Sequence, residues 1–285
     1  MSKVPNASLL ECFTGMPFGT TFFNFAVPMF FPNAAQTDPH QGLSQALTTL
    51  GWTCELWQGD DATTAKAELE AALRYGPVLL GPIDMSFLRY DPNHENKKGA
   101  DHFVVVLNIK DEVVQLHDPQ FYPYALLPMD ELMQAWNADA IGYINKTYTM
   151  RHHFREQHKF SHRQILKTAF KIAQKFQMDA LAGPVVYGGK AAFNQAVKQL
   201  EQSPNPAFIG LLMHFALPIG ARRSTDAMQF MKNLGKSELT ELYKTKATLF
   251  GSAQYYAVTD DWSKVVDLFH KLGAVEENLA ECLRS

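Results

Sequence analysis

The stretch GADHFVVVLNIKDEVVQLHDPQ, residues 99 to 120, holds a histidine and a carboxylate at a spacing that suits proton transfer. HFVVVLNI and EVVQLHD are rich in β-branched residues and meet at a turn near Lys110 and Asp111, so they read as the arms of a hairpin. Residues facing one another across a hairpin keep a constant index sum. His102 and Asp118 therefore become direct or near-direct cross-strand neighbours, with Cβ atoms roughly 5 Å apart. A carboxylate so placed fixes the tautomer of the imidazole and stabilises its cation, which is what a general base needs; the alternative is an ordinary polar pair at a strand end.

A base of this kind needs a nucleophile, and LLECFTGMPFG, residues 9 to 19, offers Cys12. Free cysteine packs well as a small hydrophobe, so composition alone leaves Cys12 open between core residue and nucleophile. A thiol paired with an imidazole, however, ionises well below its free pKa of ~8.5 and can attack an acyl carbon. Cys54, in the strand-like run GWTCELW between two tryptophans, and Cys282, among the last four residues, read as structural or incidental. A tetrahedral oxyanion also needs preorganised donors. Asn6, six residues before Cys12, could supply a side-chain amide, although asparagine near a terminus is often a turn residue.

The elements that must position these groups change character along the chain. After an irregular start, GLSQALTTLG (42 to 51) and TTAKAELEAALRYG (63 to 76) carry helical spacing with Gly51 and Gly76 as stop signals. Strand-like runs follow at 77–83, 102–109 and 112–118, then a helix in PMDELMQAWNA and a closing strand at 140–150. Beyond residue 150 helical patterns take over, at 161–177, 188–203, 207–217, 224–234, 237–256 and 262–271. The expected fold class is α+β, with an antiparallel sheet in a domain over residues 1–150 and an all-α domain over 151–285. The phenylalanine-rich run FGTTFFNFAVPMFFP (18 to 32) is short for a bilayer span and carries Gly19, Asn24 and Pro28, so it reads as buried loop and packing surface, with an acyl-chain-facing role as the minority alternative.

With 285 residues, 46% of them hydrophobic, a sizeable core is expected; a net charge of -3 gives no reason to expect nucleic acid as partner. Three widely spaced cysteines fit neither a disulfide framework nor a zinc ligand set, and the amino terminus reads as no signal peptide. A cytoplasmic protein with no membrane partner is expected. The seam MRHHFREQHKFSH holds His152, His153, His158 and His162, yet no metal site is expected, because neither cysteine nor carboxylate spacing supports one. Basic residues recur every fourth position from Arg151 through Arg155, Lys159, Arg163, Lys167, Lys171 and Lys175. On a helix they would form a stripe, solvated or serving to dock an acidic carrier.

The order of an amino-terminal cysteine, a helical stretch, a strand, a histidine heading HFVVV and HDP on the next strand is similar to papain-like cysteine peptidases, closest to the branch that processes bacteriocin leaders. The run GPVLLGPIDMSFLRYDPNHENKKGADHFVVVLNIKDEVVQLHDPQ resembles more narrowly the amino-terminal domain of the butirosin biosynthesis protein H family. VVYGGKAAFNQAVKQLEQ and the later helices with Arg222 and Arg223 resemble its companion helical domain, so the likeness spans nearly the whole chain. The resemblance implies a papain-like catalytic domain with Cys12 as nucleophile, His102 as base and Asp118 as orienting acid. In the peptidases a glutamine six before the cysteine serves the oxyanion hole; here Asn6 stands there. Those folds also continue a helix where this chain has Pro17, which would end or kink it. The activity implied is acyl transfer without a cofactor, from a carrier-protein or other thioester to a small-molecule amine, in natural-product biosynthesis. Hydrolysis of a peptide or amide by the same acyl-enzyme and a catalytically silent binding module are the rivals, and exposed helical faces make a homodimer possible.

Overall fold

Two sequence periods, alternation in the middle of the chain and steps of three and four on either side of it, build the two parts of the fold. The computed structural model describes residues 5–139, 141–178, 183–202 and 204–284. In chain order its principal elements are α1 (Ala7–Thr14), β1 (Thr21–Phe23), β2 (Met29–Phe31), α2 (Pro39–Leu50), β3 (Trp52–Gly59), α3 (Ala62–Leu73), β4 (Val78–Asp84), β5 (Asp101–Lys110), β6 (Val113–Asp118), β7 (Tyr122–Pro128), α4 (Met129–Trp136) and β8 (Tyr148–Glu156). These are followed by α5 (His162–Gln177), β9 (Val186–Gly188), α6 (Gly189–Gln202), α7 (Pro206–Leu211), a π-helical turn at Leu212–Ala216, α8 (Leu217–Asn233), α9 (Ser237–Val258) and α10 (Trp262–Arg284). The fold is α+β, with antiparallel sheets and a helical carboxy-terminal region.

Residues Gly51–Lys159 form one compact unit. Its six strands lie in the order β3-β8-β4-β5-β6-β7, with every neighbouring pair antiparallel. Along β5 the burial alternates, so His102, Val104 and Val106 share the inward face; Val114, Leu116 and Asp118 do the same on β6. That alternation is what a sheet covered on one side requires. The cover comes from α3 through Ala65, Leu69 and Ala72 and from α4 through Leu132, Ala135 and Trp136. The Trp136 indole donates to the carbonyl of Thr149 at 2.9 Å, tying α4 to β8.

The described residues through Leu50 and those from Phe160 onward form the second unit. One apolar cluster gathers Cys12, Phe13 and Phe18 with Ala169, Phe230 and Leu279; a second gathers Phe22 and Phe30 with Phe193, Phe250 and Phe269. The phenylalanine-rich run is thus mostly packing surface: β1 and β2 pair as a hairpin, β9 adds to β1, and Phe30 packs on both Phe193 and Phe269 at centroid distances of 5.1 and 5.5 Å. Phe25 and Val27, at the tip, are exposed.

These units correct the expected division into 1–150 and 151–285. The boundary drawn at residue 150 falls inside β8, a strand paired on both sides. Composition along the chain shifts there because β8 carries charged residues toward its end, not because the sheet stops. The described residues through Leu50 belong with the helices because Phe13, Phe18, Phe22 and Phe30 are buried among helical side chains. The basic series is corrected too: Arg151 and Arg155 lie on β8, Arg151 being 2% exposed, and only Arg163, Lys167, Lys171 and Lys175 share α5, all four exposed. The closing strand runs 148–156 rather than 140–150, Ala140 lying outside the described residues. The helix expected to start at residue 224 starts at 217, continuing directly from the π-helical turn, and its Gly220 lies against the ring of Phe250, where an added Cβ would come within 2.8 Å.

Candidate active site

His102 is carried by β5, whose position is set by β4. Ile83 pairs with His102, and a register shift between Leu80 and Ile83 brings Gly81 against the His102 backbone. Gly81 has φ +145°, and a Cβ built there would lie 2.7 Å from the His102 carbonyl oxygen and 2.6 Å from the Phe103 ring. Only glycine meets both demands, so the turn of β4 depends on it.

On the other side, β5 pairs with β6, Val105 facing His117, after a register shift between Val106 and Asn108. One more step places Asp118 opposite Val104 and diagonal to His102 on the same inward face. The side chains bridge that diagonal: His102 Nε2 is 2.7 Å from Asp118 Oδ1. The two expected partners thus meet one diagonal step from direct register, because the turn closes at Lys110–Val113, further along the chain than Lys110 and Asp111, and the extra residue on β5 makes up only part of that offset.

Asp118 is 5% exposed and does not depend on His102 alone. Its Oδ1 also accepts from the Gln120 backbone N–H at 2.6 Å, and its Oδ2 accepts from the Tyr90 hydroxyl at 2.9 Å. Burial by itself would raise the carboxyl pKa; the donors His102, Gln120 and Tyr90 outweigh it and hold the group below its ordinary value. Asp118 is therefore an anion at neutral pH. The Tyr90 phenol is pushed far up, by burial and then by the Asp118 charge, so it stays a donor.

A second buried carboxylate supports the loop that carries Tyr90. Asp91 accepts from the Lys97 ammonium at 2.5 Å, the Asn93 N–H at 2.9 Å and the Tyr122 hydroxyl at 3.2 Å, and the Tyr90 and Tyr122 rings lie 5.3 Å apart. Lys97 also reaches the Gln120 side chain at 3.3 Å, which closes the network back onto Asp118. Asp84 seals the base of the loop, accepting from the N–H groups of Ser86 at 2.8 Å and Gly99 at 3.1 Å. Tyr90, Asp91, Lys97 and Gln120 are residues that sequence reasoning missed. The signal for the first three was the polar loop RYDPNHENKKGADH beside a buried carboxylate, which needs more than one donor to stay charged.

With Nε2 committed to Asp118, Nδ1 is the remaining nitrogen of His102, and it has no hydrogen-bond partner among the described residues. An imidazole in this tautomer, backed by an ionised carboxylate, can accept a proton at Nδ1 and return it.

Cys12 belongs to the other unit, as the sixth residue of α1, a short helix closed by Gly15 in the left-handed region at φ +83°. The Gly15 N–H bonds the Cys12 carbonyl at 3.2 Å, and a Cβ on Gly15 would strike the Phe176 ring at 2.4 Å. The helix thus ends before Pro17, and Cys12 lies at its negative rather than its positive end. The thiol is 0% exposed, and its pKa is raised well above the ordinary thiol value by burial, then by the charges of Asp226 and Glu11. At rest Cys12 is a protonated, buried thiol.

Asn6 is the N-cap of the same helix: its side-chain oxygen accepts from the Leu9 N–H at 2.9 Å. That leaves its amide NH₂ as the group that could donate elsewhere. Cys54 lies on β3 and Cys282 on α10; both are half-buried and burial raises both thiols.

The fold and these groups define a mixed α+β protein with a buried, carboxylate-backed histidine in its sheet unit. Residues 183–284 match the model of the YobF C-terminal domain. The chain is 28% identical over 275 residues to the uncharacterized protein YobF of Bacillus subtilis (strain 168), covering 95% of this chain and 87% of that protein. Among the described residues, no helix is long and apolar enough to cross a membrane.

Proposed function

We propose that this protein is a cysteine-dependent acyltransferase of the cytoplasm, moving an acyl or aminoacyl group from a thioester to a small-molecule amine. The observation that carries the reading is the 2.7 Å bond between His102 Nε2 and an ionised Asp118, which leaves Nδ1 to handle a proton. The resemblance of residues around Cys12, His102 and Asp118 to the butirosin biosynthesis protein H family supports the acyl chemistry.

In this reading the Cys12 thiol passes its proton to His102 as its sulfur adds to the thioester carbonyl. The donor's carbon–sulfur bond then breaks, and His102 returns the proton to the departing thiolate. The amine attacks the acyl-enzyme, losing a proton to His102, and the restored Cys12 thiol takes it back. Because burial and two carboxylates keep the thiol protonated at rest, the proton must leave in step with attack rather than before it. Asn6 would donate its amide to the oxyanion. The exposed Arg163, Lys167, Lys171 and Lys175 of α5 offer a surface for an acidic acyl carrier protein.

The burial of Cys12 favours a second reading, a binding module that keeps the fold without the reaction. Turnover of an acyl thioester with and without an amine acceptor separates the possibilities. Amide product that disappears in Cys12→Ala is expected; free acid alone would make the protein a hydrolase, and turnover unchanged in Cys12→Ala would end the cysteine mechanism.

A further inference from the structure

We propose that Glu55, His152 and His153 form a binding site for a divalent first-row transition-metal ion of the Zn²⁺ type, separate from the His102–Asp118 pair. One donor atom from each of the three residues lies within 4.8 Å of the other two, although the carboxylate is distant from the histidines in sequence. The sheet brings them together: Glu55 on β3 is the cross-strand partner of His152 on β8.

Consecutive strand residues point to opposite faces, so His153 should look away from Glu55. It does not, because the ladder slips here. β3 advances from Thr53 to Glu55 while β8 advances from Arg155 to His152, which leaves one extra residue on β8. Such a bulge re-aims a side chain. His153 takes φ +52°, a left-handed conformation, and its Nδ1 lies 3.1 Å from Glu55 Oε1. The two imidazoles come to a centroid separation of 4.7 Å, and the Tyr75 ring meets His153 edge-on at 4.4 Å.

This arrangement leaves His152 Nδ1 and His153 Nε2 withdrawn from solvent with no hydrogen-bond partner. Neighbouring imidazoles with unpartnered nitrogens are costly unless something satisfies them, and a metal ion does so with a lone pair from each ring. Two imidazoles and one carboxylate are a donor set for borderline ions such as Zn²⁺, whereas Mg²⁺ and Ca²⁺ take oxygen ligands. Glu55 is exposed, so its side chain can close to the bond length of about 2.0–2.2 Å that zinc–carboxylate coordination needs. Three protein donors leave a coordination position for water or an exogenous ligand.

The test uses the full chain without an affinity tag, stripped with chelator and titrated with Zn²⁺ by calorimetry, with Co²⁺ absorption as a report on coordination. One Zn²⁺ per chain is expected, together with Co²⁺ d–d bands. His152→Ala and Glu55→Gln should each weaken binding by at least about tenfold. His153→Asn, which tolerates the left-handed backbone and so guards against misfolding, should do the same, while His162→Ala on α5 should leave binding unchanged. Absence of Zn²⁺ binding to the natural chain, or affinity unchanged in all three site variants, would overturn the proposal.

Discussion

His102 reaches Asp118 across a diagonal of the β5–β6 hairpin, Nε2 to Oδ1 at 2.7 Å, and the same carboxylate takes two further hydrogen bonds. The arrangement makes Asp118 both the carboxylate that fixes the His102 ring and a source of acid-sensitive stability. Its folded-state pKa lies below the ordinary carboxyl value. The stabilisation is therefore fully present above about pH 4, the unfolded value, and is lost as the pH falls through the folded one. Asp118→Asn should be less stable than the natural chain at neutral pH, with a gap that narrows on acidification, as measured by denaturant unfolding across the acid range. Amide formation in the variant should fall by on the order of 10²-fold or more.

Gly81 shapes the strand beside His102. Gly81→Ala forces a Cβ toward the His102 carbonyl and a left-handed φ onto an L-residue. We expect a loss of about 1–3 kcal/mol in unfolding free energy, together with displacement of the His102 ring signals in NMR spectra. An unperturbed spectrum at full stability would show that β4 does not set the histidine.

Asn6 has one structural duty and one proposed catalytic duty, and they can be separated. Asn6→Ala removes the cap of α1 and should cost about 1 kcal/mol. Asn6→Ser keeps a capping oxygen but has no amide. If the amide serves the oxyanion, the serine variant retains stability yet loses on the order of 10²-fold in turnover; retention of both would confine Asn6 to the cap.

In the helical unit, Lys246 and Glu276 are paired at 2.5 Å with 1% and 0% side-chain exposure. Glu276 also accepts from Thr20 at 2.6 Å and from Gln177. Lys246→Met would strand a buried carboxylate and should destabilise the protein by about 3–5 kcal/mol, while the double variant Lys246→Met/Glu276→Leu should recover much of that loss in thermal unfolding.

The elements that carry strong periodicity were legible in the sequence. The strands holding His102 and Asp118 and the helices α5, α6 and α9 lie where apolar spacing places them, because their buried faces are continuous. Four features were hidden for physical reasons. Helix α1 is too short to show a period, and its start depends on the Asn6 cap. The division of the chain follows which apolar faces meet, and nothing in the local composition of the phenylalanine-rich segment says that Phe22 packs on α7 and Phe30 on α6 and α10. The cluster of Glu55, His152 and His153 exists only because of a one-residue bulge, which hydrophobic alternation cannot reveal. The donors around Asp118 were hidden likewise, being supplied by loops.

The most direct test of the acyl-transfer account is intact-protein mass spectrometry after incubation with an acyl thioester in the absence of amine. The account expects a single acyl adduct that maps to Cys12, forms far more slowly in His102→Ala and is discharged when an amine is added. An adduct on Cys54 or Cys282, or none on any cysteine while amide product still forms, would contradict it.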